Sequence, residues 1–101
     1  MNVSFESPYY NFILTEKMKS IDVYHKLLNW IRGEFDLYQM DELEGLKVYY
    51  PNGWFTIKNL SQSDEIIDME ICVKCKSKKS GLITFQKIES LYSHIVAIYK
   101  S

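Results

Sequence analysis

Between residues 67 and 76 the sequence alternates strictly between apolar and polar side chains, and this pattern constrains the fold more than any other. The apolar series is Ile67, Met69, Ile71, Val73 and Cys75, and the polar series is Asp68, Glu70, Cys72, Lys74 and Lys76. Because successive side chains of a strand point to opposite faces of the sheet, the alternation predicts a strand with one buried and one solvated side. Helices that pack on the apolar side would cover it.

A β-hairpin is predicted immediately before this strand, around the turn Pro51-Asn52-Gly53. The flanking segments 46–50 and 54–58 are rich in β-branched and aromatic residues, and Gly45 precedes the first of them. Asn-Gly accepts the positive φ that tight hairpin turns require. We therefore expect two antiparallel strands here, followed by the alternating strand as the third.

Two segments carry apolar residues at helical spacing and predict amphipathic helices. The first runs from Glu16 to about Arg32, with Thr15 as its cap and Gly33 as its stop, and its apolar positions are Ile21, Tyr24, Leu27, Leu28 and Ile31. The second follows a solvated connection at residues 76–81, and its apolar positions are Ile88, Leu91, Tyr92, Ile95 and Tyr99.

Together these elements predict a two-layer α+β fold in the order helix, three antiparallel strands, helix, with both helices on one face of the sheet. A chain of 101 residues is the size of one domain. We expect residues 1–14 to form an extended lead-in and residues 15–101 to form the α+β core. The lead-in residues expected to dock on that core are Phe5, Tyr9, Phe12 and Ile13.

Composition narrows the possible locations and partners. The 12 basic and 13 acidic side chains nearly cancel, which disfavours electrostatic binding of nucleic acid. The sequence lacks the run of roughly 20 apolar residues that a membrane-spanning helix needs, and its first ten residues lack the pattern of a signal peptide. Two cysteines cannot supply the disulfides of a small secreted domain. We expect a cytoplasmic protein with reduced thiols and no membrane partner.

The sequence shows no self-sufficient catalytic, metal-binding or cofactor-binding motif. Cys72 and Cys75 form a C-x-x-C, but residues three apart on a strand point to opposite faces, which prevents shared chelation or a disulfide. His25 and His94 fall at polar helix positions and are expected at the surface. Glycine-rich phosphate loops and nucleophile–base spacings are absent from the sequence. We therefore expect a protein that binds without catalysing.

The predicted hairpin carries a family resemblance. Residues 44–50 read EGLKVYY and residues 52–58 read NGWFTIK. The pair resembles the carboxy-terminal domain of the phosphomannomutase and phosphoglucomutase (phosphohexomutase) family, which typically reads DG-x-[IV]-[KR]-[VI], a short turn, then GW-[VFA]-x-[VI]-R. The resemblance covers about residues 16–75. It implies no mutase activity for this chain alone, because the family's phosphoserine nucleophile and magnesium-binding aspartates belong to other domains.

In that family a phosphate-gripping loop follows the hairpin, and the resemblance places the loop at residues 58–65. The ligand-binding residues that it implies here are Lys58, Ser61, Gln62 and Ser63. Lys58 stands where the family has an arginine, and a lysine neutralises a phosphate without offering the bidentate fork of a guanidinium. The resemblance implies binding of a sugar phosphate or another anion as an alternative function, including as an accessory subunit of a larger enzyme.

The uncovered sheet face supplies the leading hypothesis about function. The strand alternation places Lys47, Tyr49, Trp54 and Thr56 on that face, and Tyr49 and Trp54 flank the hairpin turn. Tyrosine and tryptophan are enriched among the anchors of protein interfaces. The same rings would also suit cover by the lead-in or stacking of RNA bases, although the balanced charge disfavours RNA. We expect an interaction module that binds a protein partner or a second copy of itself through this face.

Overall fold

The computed structural model describes residues 1–61 and 65–99, and within these ranges it has α+β architecture. The helices are α1 (Ile21–Glu34) and α2 (Lys78–Tyr99). The strands are β1 (Asn2–Glu6), β2 (Tyr9–Met18), β3 (Met40–Asp41), β4 (Leu46–Tyr50), β5 (Gly53–Asn59) and β6 (Ile67–Cys75). They form one antiparallel sheet of six strands in the order β1-β2-β6-β5-β4-β3.

The predicted α+β class is confirmed, whereas the arrangement of three strands between two helices is wrong. The three expected strands are present as neighbours β4, β5 and β6. The expected lead-in instead forms a second hairpin, β1 and β2, which turns at the cis peptide bond Ser7-Pro8. Strand β2 pairs with β6 along its length and so satisfies a row of backbone groups that would otherwise be exposed at a sheet edge.

Helix α1 begins later than predicted because β2 continues to Met18. The Met18 side chain is fully buried, and the residue pairs with Ile67 of β6. Burial of this side chain in the sheet holds residues 15–18 in a strand, so the boundary expected between residues 14 and 15 falls inside β2.

The ends of α1 also differ from the prediction. Ser20, not Thr15, is the N-cap, and its hydroxyl accepts a hydrogen bond from the Val23 backbone N–H at 3.4 Å. Gly33, expected as the stop, lies inside the helix, which ends at Glu34.

Helix α2 begins inside the segment that was predicted to be a solvated connection. The Ser77 hydroxyl accepts a hydrogen bond from the Ser80 backbone N–H at 3.2 Å, and Gly81 N–H donates to the Ser77 carbonyl at 2.9 Å. These bonds satisfy backbone groups of the first turn and allow the helix to start at Lys78.

The core lies between the two helices and one face of the sheet, here called the covered face. Its fully buried strand residues include Leu46, Val48, Phe55, Ile57, Ile67, Met69, Ile71 and Val73. Of the lead-in residues expected to dock there, Phe12 is buried and its ring lies 6.1 Å from that of Phe85 in α2. The expectation is wrong for Phe5, which is 56% exposed, and for Tyr9 and Ile13, which alternate onto the other face.

Candidate protein-binding face

The side of the sheet opposite the helices is here called the open face. The strand register places all four predicted interaction residues on it: Tyr49 lies opposite Trp54, and Lys47 lies opposite Thr56. Thr56 in turn lies opposite Cys72 of β6. Because β4, β5 and β6 alternate, this face shares none of their fully buried residues.

An aromatic cluster made of Tyr9, Tyr49 and Trp54 stands on the open face. The Tyr9 ring meets Trp54 edge-on at a centroid distance of 5.0 Å. The Lys47 ammonium lies 4.9 Å from the Tyr49 ring centroid and 5.0 Å from that of Trp54, within cation–π range of both. The lysine therefore contacts both rings of the hairpin, and 37% of the Tyr49 surface remains exposed.

Tyr9 is the member of this cluster that the sequence interpretation did not assign to it. Cover of the aromatics by the lead-in was one of the predicted alternatives, and one ring of β2 does contact Trp54. The available signal was the Ser7-Pro8 turn, since a chain reversal there directs residues 9–18 back along the sheet. Lys76 adds a more distant cation, 5.8 Å from the Tyr9 ring centroid.

A groove of about 430 Å³ runs beside the aromatic cluster. Trp54, Thr56 and Cys72 contribute to its lining, together with three acidic and three basic side chains: Asp41, Glu44, Glu70, Lys47, Lys58 and Lys74. The almost fully exposed Leu43 lies at its rim. Because the charges are balanced, the groove does not present a field of one sign to a ligand.

The two cysteines lie on opposite faces of β6, as strand periodicity predicts. Cys75 is buried on the covered face, while Cys72 is half-buried in the groove of the open face, and both are free thiols. Burial raises the pKa of the Cys72 thiol; Lys74 and Lys58 oppose this rise, and Glu70 adds to it. A raised pKa keeps the thiol protonated near neutral pH, which makes it a poor nucleophile.

The loop implied by the mutase resemblance is described only in part. Gln62 and Ser63 lie outside the described residues. Ser61 donates its backbone N–H to the Asn59 side-chain oxygen at 2.9 Å, and the Lys58 ammonium lies 3.9 Å from a Glu44 carboxylate oxygen. Glu44 therefore competes for the charge that a phosphate would need from Lys58.

Lys58 also borders a second cleft, of about 800 Å³, between α1 and the end of β5. His25 and Arg32 of α1 bring two further nitrogen-bearing side chains to this cleft. Arg32 forms an ion pair with Glu42, and both Glu42 and Glu44 line the same cleft. One lysine, one arginine and one histidine thus line this cleft together with two carboxylates.

Each of the two histidines contacts an aromatic ring. His25 lies 5.6 Å from the Tyr24 ring and His94 lies 5.5 Å from the Trp30 ring, measured between centroids. Across residues 1–61 and 65–99, His, Cys, Asp and Glu side chains form no group of three or more that could hold a metal ion. Within the same ranges, neither helix is long and apolar enough to cross a membrane.

The fold and its surface define the chain as an α+β domain whose six-stranded sheet keeps an aromatic cluster on its open face. No protein-family model matches the chain, and no curated protein matches it either. The resemblance of residues 44–58 to the phosphohexomutase domain therefore stays a prediction.

Proposed function

We propose that the protein is a non-catalytic interaction module that binds a protein partner through its open face. The observation that carries this proposal is the aromatic cluster, which stands on a sheet face that neither helix covers. Large aromatic side chains near the centre of an interface supply much of the binding free energy in protein complexes.

The contacts within the cluster support a role in binding. Trp54 and Tyr49 are directly paired across β4 and β5, and Lys47 lies over both rings. Because these side chains are already held by neighbours, a partner would lose little additional conformational entropy in ordering them. The groove beside them adds charged and hydrogen-bonding side chains next to Trp54, and polar groups next to aromatic anchors are common in protein interfaces.

The charges of the groove favour a protein partner over a nucleic-acid partner. A protein surface that binds nucleic acid needs an excess of basic side chains, because contacts with the phosphates supply most of the affinity. Here Asp41, Glu44 and Glu70 line the groove beside an equal number of lysines, and the whole chain has a formal net charge of −1. A protein surface bearing charges of both signs would complement such a groove.

A pair of matched tyrosine variants tests the proposal. Tyr49 and Tyr99 are similarly exposed, at 37% and 40%, and each carries a lysine ammonium over its ring, at 4.9 Å from Lys47 and 4.2 Å from Lys26. Tyr49 lies on the open face, whereas Tyr99 lies at the end of α2.

A photo-crosslinking amino acid placed at Thr56 would report partners of the open face in cells, and the same probe at exposed Gln86 of α2 would report the opposite side.

We expect discrete protein crosslinks from the Thr56 probe that are lost with Tyr49→Ala and kept with Tyr99→Ala. The reason is that Tyr49→Ala removes an interface anchor, while Tyr99→Ala removes a comparable ring elsewhere. Equal crosslinking from Thr56 and Gln86, or an unchanged Thr56 pattern in Tyr49→Ala, would contradict the proposal. Circular dichroism of each variant verifies that the fold is intact.

A second candidate function is the binding of a phosphorylated sugar or another anion at the cleft beside Lys58. It is supported by the convergence of Lys58, Arg32 and His25 on one cleft of about 800 Å³. Calorimetric titration with mannose 1-phosphate and with inorganic phosphate would test it, using Lys58→Ala and the matched surface variant Lys87→Ala. Saturable binding that only Lys58→Ala abolishes would support this function, and no heat of binding to the natural protein would exclude it for these ligands.

A further inference from the structure

We infer that strand β1 is a dimerisation edge at which two copies of the chain join their sheets antiparallel. This inference uses a surface separate from the open-face cluster and does not depend on the proposed function. It rests on the free edge of β1, on the exposure of its side chains and on the self-complementarity of its sequence.

The two edges of the sheet differ in their capacity to accept another strand. Strand β3 offers only Met40 and Asp41, whereas β1 offers the five residues Asn2–Glu6. Strand β1 pairs on one side with β2 and is the terminal strand of the sheet. Its outward backbone N–H and C=O groups therefore form a ready template for another strand.

The β1 sequence lacks the devices that usually protect such an edge. Residues 2–6 read NVSFE and contain no lysine, arginine or proline. Val3 is 45% exposed and Phe5 is 56% exposed, even though Phe5 contacts the Tyr10 ring at a centroid distance of 4.7 Å. An exposed edge with two large apolar side chains and one charge favours pairing with a further strand.

A second copy fits this edge because the segment complements itself about a two-fold axis at Ser4. With Ser4 opposite Ser4 of the second copy, Val3 lies opposite Phe5, and Asn2 lies opposite Glu6. The first pairing sets a β-branched side chain against an aromatic ring, which is a favourable cross-strand pair. In the second, an amide that can donate hydrogen bonds faces a carboxylate that accepts them.

This register uses all five residues of β1 and places no like charges opposite each other. Val3 and Phe5 fall on the same side of the joined sheet as Tyr10, because β1 and β2 pair with Phe5 opposite Tyr10 and Val3 opposite Phe12. Dimerisation would therefore bury apolar side chains of both copies together along one seam. The interface is isologous, so it closes after two copies instead of continuing into a fibre.

Solution mass provides the first test. Light scattering at millimolar chain concentration should give twice the chain mass of 12.0 kDa. Phe5→Lys should return the mass to that of one chain, because it places charge on the pairing edge. Ile83→Lys is the matched control, since Ile83 on α2 is 57% exposed, and it should leave the dimer intact. Tyr49→Ala should also leave it intact, which separates this inference from the open-face proposal.

Engineered cysteines test the register in a Cys72→Ser background. Under mild oxidation, Ser4→Cys should link two chains readily, because directly opposed residues have Cα atoms about 4.5–5.5 Å apart, within disulfide range. Asn2→Cys should link slowly, because the two copies of residue 2 would be offset by about 13 Å along the strands. A single-chain mass for the natural protein, or equal linking by the two variants, would overturn the inference.

Discussion

The two faces of β6 differ sharply although they belong to one strand of nine residues. On the covered face, Ile67, Met69, Ile71, Val73 and Cys75 are all 0% exposed. On the open face, Asp68, Glu70, Cys72 and Lys74 are all half-buried. The apolar face supplies the burial that stabilises the fold, whereas the polar face contributes little to that burial.

Substitutions at neighbouring positions of β6 should reveal this difference most strongly. Ile71→Ala removes a fully buried side chain at the centre of the sheet and should lower the free energy of unfolding by about 2–5 kcal/mol. Cys72→Ala, one residue further on the open face, should change it by less than about 1 kcal/mol. Urea denaturation followed by circular dichroism measures both. Similar losses from the two variants would show that the faces contribute equally to stability.

Two helical glycines, Gly81 in α2 and Gly33 in α1, give a second contrast. A Cβ atom at Gly81 would lie 2.6 Å from the Phe12 ring and 3.1 Å from Cys75 Cβ, whereas one at Gly33 would have no neighbour within 4 Å. Gly81→Ala should therefore destabilise the protein by about 1–3 kcal/mol. Gly33→Ala should stabilise it by up to about 1 kcal/mol, because alanine favours the helix. A stabilising Gly81→Ala would indicate looser packing of α2 on the sheet.

Tyr50 places a polar hydroxyl group at the otherwise apolar covered face. We expect this group to make stability depend on pH. Its hydroxyl is buried, and although the Cys75 and Thr84 side chains lie close enough to influence it, no group among the described residues reaches full hydrogen-bonding geometry with it. Burial raises the pKa of Tyr50, the nearby Cys75 side chain raises it further, and Thr84 acts in the opposite direction. Above pH about 10 the unfolded tyrosine ionises while the folded one keeps its proton, so stability should fall as pH rises past that value.

Tyr50→Phe should reduce this alkaline loss and change stability at neutral pH by no more than about 1 kcal/mol. Some slope should remain, because burial also raises the pKa of Tyr24 and of Tyr92. Urea denaturation at several pH values between about 8 and 11 gives the comparison. Identical slopes for the natural protein and Tyr50→Phe would show that Tyr50 does not carry the effect.

Local sequence signals predicted the second half of the sheet well. The β4–β5 turn forms where Asn52-Gly53 indicated it, and Asn52 adopts a φ of 71°. Strand β6 has the bounds that its alternation required, less the terminal Lys76. Alternation along β4 and β5 likewise placed Lys47, Tyr49, Trp54 and Thr56 on one face of the sheet, and the strand register has them on one face. These features depend on neighbours within a few residues, so the sequence pattern alone specifies them.

The first hairpin was less predictable because its stability comes from distant residues. Strand β2 owes its extent to pairing with β6, as in Met18 with Ile67, and no local pattern in residues 15–18 indicates that partner. The contribution of Tyr9 to the aromatic cluster depends on the same pairing, which brings β2 across the sheet. Ser77 as the start of α2 was a missed local signal, since serine is a favoured N-cap.

The position of β2 between β1 and β6 also has a consequence for the folding of the chain. Residues 9–18 find their central partner only after residues 67–75 are available, so the pairing closes a long loop. The β4–β5 hairpin and its junction with β6 involve much shorter separations and are expected to form first. During synthesis, β2 can pair with β6 only after residues 67–75 have been made, and if β6 forms before β2 docks, one side of β6 is open to pairing with other strands.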